Sequence, residues 1–307
     1  MEIEKTAYCK HLFEKVPLNY TFLCEDLDTL FNDEYEFVFS SINSDIRAQK
    51  LLDYYQIPNA TASDYKLKKI DCGNFYVLAH IRFKGMQRNA PFVSIEYISE
   101  SHSVFYENIE AVKPKILEAF SVFDTHLVRL LINPNDIKYL HSYENDISML
   151  AVAFKDFQHF EIPKMEIEVV PCMNEMEYEQ YCAEYEAFLQ KNENLRGNVL
   201  PEPIDVLNSK AEKGYLCKIL YENQCAGWIA LDENYEFFVK GYVVWDKIIY
   251  EPFQGMNLSY AALSKIIRIK EFSKEEFLHG WIDPTNFASY NSALKSGRTE
   301  VLMSVFL

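Results

Sequence analysis

Glycine is scarce in this chain, with nine residues in 307 against 21 tyrosines and 22 phenylalanines. Only Gly73 and Gly85 precede residue 190; the other seven lie at or after Gly197. Loops that bring backbone close to a ligand draw on glycine, so ligand binding is expected in the second half. Positive charge is also short: 30 Lys and Arg stand against 46 Asp and Glu, a net charge of −16 at pH 7. Neutralising nucleic-acid phosphates needs clustered cations, so no nucleic-acid partner is expected, whereas an acidic surface steers cationic ligands. The seven cysteines are odd in number and form no C-x-x-C pair, which reads as free thiols in a reducing compartment and a cytoplasmic protein. The histidines include no pair at metal spacing, so no metal is expected. No segment approaches the roughly 20 apolar residues of a membrane span, and Met1–Lys5 carry neither the basic nor the apolar part of a leader, so no membrane is expected as partner.

What is present is organised around one stretch. From Gly241 to Tyr250 the sequence is β-branched and aromatic, which predicts a strand; from Leu258 the apolar residues Ala261, Ala262 and Ile266 recur at helical spacing. Between them lies a turn containing Gln254 and Gly255. A strand delivered through such a turn into a helix leaves the first backbone N–H groups of the helix unpaired, at the positive end of its dipole, and that arrangement binds phosphate.

The run Phe253-Gln-Gly-Met-Asn-Leu-Ser259, after a strand ending in Ile249, resembles the Gln/Arg-x-x-Gly-x-Gly/Ala loop of the GNAT acyltransferases, which binds the pyrophosphate of acetyl-coenzyme A. Gln254 matches the first position, while the two small positions fall on Asn257 and Ser259. Further on, Asn286 and Gly297 stand where the family carries Asn and Gly, and the tyrosine that serves as acid toward the leaving thiolate is replaced by Ala293. The resemblance runs from about Glu166 to Leu307. It implies an α/β (α+β) fold with a mixed, mostly antiparallel central sheet flanked by helices, and acetyl-coenzyme A as cosubstrate. It implies cofactor contacts from Ile248, Ile249, Gln254, Gly255, Met256, Asn257, Leu258, Ser259 and Asn286.

The length suggests two domains. Helical signals over residues 7–31, with Leu12, Val16, Phe22 and Leu23 apolar and Pro17 interrupting, precede a strand at Glu36–Ser41 and a helix at Asp45–Tyr55 opened by Asn43-Ser44 as cap. A hairpin follows, Phe75–Phe83 with Phe92–Ile98, then a helix from about Asn108 to Phe123 and strands at His126–Ile132 and Ile147–Phe154. The second half repeats this order: a strand at Glu166–Val170, a helix at Glu175–Gln190, a hairpin across residues 222–224, the central strand and its helix, and the closing segments 277–282, 286–295 and 299–307. Ile132-Asn-Pro and Ile282-Asp-Pro stand at matching places, which favours an internal duplication. The expected layout is an N-terminal helical segment 1–33, a degenerate GNAT-like domain 34–155, a linker 156–165 and a GNAT acetyl-coenzyme A-binding domain 166–307. The counterpart of the phosphate loop, Tyr106–Val112, has no glycine and carries Glu107 and Glu110, so coenzyme binding is expected in the second domain alone.

The function that follows is an acyl-coenzyme A dependent N-acyltransferase acting on a primary amine of a small molecule or protein. A non-catalytic module that binds a protein partner or senses acyl-coenzyme A is the alternative. Many GNAT members place a glutamate on the central strand as base; here Tyr242-Val-Val244 has none. Asp246 is the nearest carboxylate, and counting alternation from Val243 sends it to the opposite face, where a solvated strand-end aspartate is the simpler reading. Asp232, Glu233 and Glu236 are expected in the preceding turn. Tyr290, one helical turn before Ala293, is the candidate acid. The helix from Glu175 carries Glu177, Glu179, Glu184 and Glu186 among Tyr178, Tyr181 and Tyr185; this suits a cationic amine acceptor, or is an exposed amphipathic helix.

Overall fold

Helices come first in the computed structural model, which describes residues 5–15, 27–159, 167–172, 177–196, 198–236, 239–270, 272–274 and 276–307. Val16, Pro17, Phe22, Leu23, residues 160–165 of the expected linker, Glu166 and Glu175 lie outside the described residues. Helix α1 is Lys5–Lys15 and α2 is Leu27–Glu36, continued by a π-helical stretch Phe37–Ile42. The strand expected at Glu36–Ser41 is therefore helical. Its β-forming composition is overruled by a helical burial period: Val38 and Ile42, four apart, are buried while Phe37 is exposed. Helix α3 (Asp45–Tyr55) has the expected bounds, and Ser44 Oγ accepts from the Arg47 N–H. Strands β1 (Lys68–Asp71), β2 (Tyr76–Phe83) and β3 (Pro91–Ile98) follow, then α4 (His102–Glu107), α5 (Ile109–Ala119), β4 (Val128–Ile132) and β5 (Glu144–Ala153).

The second half contains β6 (Ile167–Pro171), α6 (Tyr178–Lys191), α7 (Ile204–Glu212), β7 (Leu216–Tyr221), β8 (Gln224–Glu236) and β9 (Val239–Ile249). It closes with α8 (Leu258–Lys270), β10 (Phe277–Ile282), α9 (Phe287–Lys295) and β11 (Thr299–Phe306). Strand β8 runs through Asp232, Glu233 and Glu236, which were expected in a turn. Asp232 is held there by Lys210 and Lys213, and Glu236 accepts from Trp281 Nε1 at 2.6 Å. These partners keep the carboxylates on a half-buried strand.

The chain forms two compact units, Met1–Ser148 with Val301–Leu307, and Met149–Glu300. In the first, the strands run β1-β2-β3-β4-β11, with β3 and β4 parallel and the other pairs antiparallel. In the second, they run β6-β7-β8-β9-β10-β5, with β9 and β10 parallel. Each unit thus presents antiparallel strands, then a helix, then a parallel strand, and the helices cover faces of the sheets. Val93, Ile95, Val112 and Ile116 belong to the core of the first unit; Ile229, Leu231, Ile266 and Leu278 to that of the second. The last strand of each unit comes from the other half of the sequence. Strand β11 follows Ile282-Asp-Pro yet pairs with β4, Met303 opposite Ile132. Strand β5 follows Ile132-Asn-Pro yet lies next to β10, and beyond it the Phe154 N–H donates to Glu276 O at 3.0 Å.

Candidate functional site

The site begins where β9 and β10 part. They pair in parallel only at Gly241, Tyr242 and Val243, opposite Phe277, Leu278 and His279, although β9 runs on to Ile249 and β10 to Ile282. The close approach depends on Gly241, where an added Cβ would stand 2.1 Å from Phe277 O. Beyond Val243 the edge of β9 that faces β10 has no strand partner among the described residues. On its other edge β9 pairs with β8 along its length, and the register shifts once: Leu231 is opposite Val244 and Ala230 opposite Asp246. Trp245 is the extra residue of a β-bulge, which reverses the alternation beyond it.

A single turn of 3₁₀ helix, Glu251–Phe253, leads into the loop. Gln254 Nε2 donates to Ile249 O at 3.0 Å, tying the loop to the strand end. Gly255 and Asn257 both adopt positive φ, +79° and +58°. Glycine has no Cβ to resist this and asparagine resists it less than most residues. The first backbone bonds into α8 are those of the Tyr260 and Ala261 N–H groups to Asn257 O. Among the described residues, the N–H groups of 255–259 have no backbone acceptor, so they stand at the helix N-terminus as free donors. A Cβ built on Gly255 would meet nothing within 4 Å, so the loop is open on that side.

A cavity of about 470 Å³ lies against this loop. Its walls are the end of β9 (Lys247, Ile248, Ile249), the loop and first turn of α8, and the face of α9 from Asn286 to Lys295, with Tyr185, Phe188 and Val199 on a further side. Among the described residues, two lysines line it and no carboxylate does, in a chain of net charge −16. Lys295 Nζ donates to Asn257 Oδ1 at 3.1 Å. Lys247 Nζ is 3.5 Å from Ser292 Oγ, which is 3.1 Å from Ser259 Oγ in the first turn of α8. Burial and then the nearby Arg298 bring the Lys247 ammonium down from 10.5 to about 7, against the opposing pull of Asp246.

Asp246 is not solvated, and it does not take the face that simple alternation assigns. The bulge at Trp245 returns it to the side of Val243, where its carboxylate accepts from Tyr185 Oη, from Tyr181 Oη at 2.6 Å and from its neighbour's backbone, the Lys247 N–H, at 2.7 Å. Burial raises its pKa above the ordinary 3.8, although these hydrogen bonds favour the ionised form. Tyr185 connects it to the cavity: the ring lines the wall and the hydroxyl donates to Asp246.

Of the residues expected to hold a cofactor, Ile248, Ile249, Gln254, Gly255, Asn257, Leu258, Ser259 and Asn286 line the cavity. Asn286 also caps α9, its Oδ1 accepting from the Ser289 N–H at 3.3 Å. Ile248 turns its carbonyl toward β8, where it would stand 2.1 Å from a Cβ on Gly227, so it offers that group to the paired edge instead of the open one. Met256 does not line the cavity; it packs against the core of the second unit. Tyr290 does not line it either. Burial and the Glu300 carboxylate raise its pKa on the far side of α9. Glu184 and Glu186 of α6 and Glu177 at its N-cap are engaged locally, Glu186 with Arg196 at 2.7 Å, Glu177 with Lys218 at 2.9 Å and Glu184 with the Glu251 N–H at 3.1 Å, while Tyr181 and Tyr185 are core residues. Helix α6 is thus amphipathic. Lys247, Ser292 and Lys295 are the site residues that sequence reasoning passed over, and Tyr185 was named only for an amine acceptor; the Asp246-Lys247 pair inside an apolar strand was the available signal. No group of three or more potential metal ligands is found among the described residues.

No protein-family model matches the chain. A 78-residue stretch, 24% of this chain, is 32% identical to the endoribonuclease YbeY of Streptococcus suis. The match spans 47% of that curated relative, about half its length. Among solved structures, a GCN5-related N-acetyltransferase from Sphaerobacter thermophilus has a TM-score of 0.48 at 11% identity, over 75% of this chain and 76% of that one. An acetyltransferase of the GNAT family from Colwellia psychrerythraea has a TM-score of 0.45 at 8% identity, over 85% and 95%. A GCN5-related N-acetyltransferase from Kribbella flavida has 0.39 at 12% identity, over 85% and 93%. Likenesses of this size assign neither family, site nor activity to the chain. No helix of the described residues is long and apolar enough to cross a membrane.

Proposed function

We propose that the second unit binds an acyl-coenzyme A, acetyl-coenzyme A being the first to test, and transfers its acyl group to a primary amine. The observation that carries this is the cavity with two lysines and no carboxylate, set against five free N–H donors at the start of α8 and an unpaired edge of β9. An anion with an extended amide-bearing arm fits all three features: the donors and Lys295 suit a diphosphate, and the open edge suits an arm that hydrogen-bonds like a strand. The sequence resemblance of the loop to the GNAT phosphate loop supports the same reading. Bound there, the thioester supplies an acyl carbon open to attack by a neutral amine. Tyr185 can relay the proton, giving its own to Asp246 as it takes one from the amine, and the raised pKa of Asp246 suits that task.

A second reading is a module that senses acyl-coenzyme A without turnover. It is favoured by Ala293, buried where a tyrosine would protonate the thiolate, and by Tyr290 turned toward Glu300. In either reading the first unit is a copy that has lost the ligand. Where the second unit has an open loop, the first has α4 joined to α5 at Asn108, a helical turn with no glycine. Calorimetric titration of the whole chain with acetyl-coenzyme A, followed by thiol release over a panel of amines, tests both. Binding with release supports the transferase, binding without release the sensor, and no binding overturns the site.

A further inference from the structure

Lys247 is one of the two lysines of the cavity, and neither reading gives it a chemical step. It lies between the bulge at Trp245 and the loop at Gln254, the stretch along which an acyl-bearing arm would have to run. Its Nζ enters the cavity and meets a hydroxyl, Ser292 Oγ, instead of a carboxylate. The adjacent Asp246 does not neutralise it as an ion pair, because alternation along β9 puts the two side chains on opposite faces and the carboxylate is taken by Tyr181 and Tyr185. A lysine kept from its counter-ion in a cavity shaped for an acyl donor is a nucleophile, since the neutral amine is the reactive form.

We infer that Lys247 is itself an acylation site: its Nζ attacks the thioester carbon of an acyl-coenzyme A held in this cavity. The C–N bond forms as the C–S bond breaks, coenzyme A leaves as the thiolate, and the proton lost by nitrogen goes to sulfur through solvent. The product is Nε-acyl-lysine and free coenzyme A. An amide is a poor acyl donor, so the step ends after one turnover and leaves a lasting record of exposure to the donor. This inference rests on the acyl-coenzyme A reading of the site.

The charged groups around Nζ are Arg298, which disfavours its protonation, and Asp246, which favours it; burial outweighs both and brings the group to about 7. The neutral fraction therefore rises roughly tenfold between pH 6 and 8 and then levels off, whereas that of an ordinary lysine keeps rising about tenfold per unit up to about pH 9 and does not level off until above its pKa of about 10.4.

The test is to incubate the whole chain with acetyl-coenzyme A and no amine. Intact mass, a peptide map and released thiol are then measured at pH 6, 7, 8 and 9, alongside calorimetric binding of coenzyme A. One acetyl group per chain, mapped to Lys247 with an equal amount of thiol and a rate that plateaus above pH 8, is the expected result. Lys247→Arg, which keeps a cation but has no nucleophilic amine, should lose both the adduct and the released thiol. Where that variant does not fold, the peptide map of the native chain decides alone, because acetyl spread over many lysines with no plateau overturns the inference. Coenzyme A binding without an adduct overturns it too and leaves the binding site standing, whereas absence of coenzyme A binding removes the site and the inference together.

Discussion

Tyr185 donates its hydroxyl proton to Asp246, and it does so from a ring that forms part of the cavity wall. The pair joins a part-buried carboxylate to a space open to ligand, and its consequences can be measured apart from any acceptor. Burial raises the Asp246 pKa above 3.8, so the folded state holds this proton more tightly than the unfolded chain. The stability this gives is present in full below about pH 4 and is lost as pH rises through the folded value. Asp246→Asn carries no such proton. Urea unfolding should therefore show the native chain losing stability relative to Asp246→Asn as pH is raised from 4 to 7; a difference independent of pH would mean that Asp246 is ionised at no cost.

Ligand affinity should depend on Gly255. Gly255→Asp puts a carboxylate among the free N–H donors and should abolish coenzyme A binding in calorimetry. Gly255→Ala adds a Cβ that has room but must adopt φ +79°, a strain of about 1–2 kcal/mol, so it should fold with a lower melting temperature. Ala111→Asp, at the counterpart position in α5, should leave binding unchanged.

Lys295 is exposed and bonded to Asn257, so its contribution should be electrostatic and screened. Lys295→Ala should weaken coenzyme A binding about threefold to tenfold at low salt, with the gap closing toward 1 M, where the screening length is about 3 Å. A gap that persists at high salt would point to a loop disturbed by loss of the Asn257 contact.

Tyr290→Phe should leave both coenzyme A affinity and thiol release within about twofold, because the hydroxyl lies by Glu300 and outside the cavity. A loss of release by a hundredfold would return Tyr290 to the role of acid.

Gly241→Ala should be among the most destabilising single-methyl changes in the second unit. The added Cβ would stand 2.1 Å from Phe277 O and 2.5 Å from Phe277 N, backbone atoms that yield only if β9 and β10 separate. A loss of about 3 kcal/mol or more in chemical unfolding is expected, against the 1–3 kcal/mol of ordinary overpacking.

The stretch from Gly241 to Arg268 was legible because three independent signals agree there: β-formers, a glycine turn and a helical period. Helix α3 was legible through the cap that opens it, and the hairpin of β2 with β3 through two β-forming runs joined by a turn. Residues 36–42 were not, since aromatic and β-branched residues read as strand until burial every fourth residue is seen. Strand β1 and helix α7 are short and mixed in polarity, and neither was foreseen. The site was half legible. The loop announces itself through Gly255, but the bulge at Trp245 leaves no mark in the residue pattern, and it is the bulge that decides which face Asp246 takes. Lys247 was passed over because a charge next to another charge at a strand end reads as solvation. Only the partition of Asp246 and Lys247 to opposite faces shows that they are not an ion pair.

The crossed use of β5 and β11 bears on how the chain is made. A ribosome delivers residues in order, and an N-terminal domain ordinarily folds while the rest is still being made. Here β4 waits for residues 301–307, so the first unit emerges with one edge of its sheet unfilled and stays so throughout synthesis of the second. The second unit receives β5 in advance and can close as soon as β10 appears. The order of maturation is thereby reversed: the half made last is the first that can be finished, and the exposed edge of β4 is the place where a nascent chain would need protection from pairing with its neighbours.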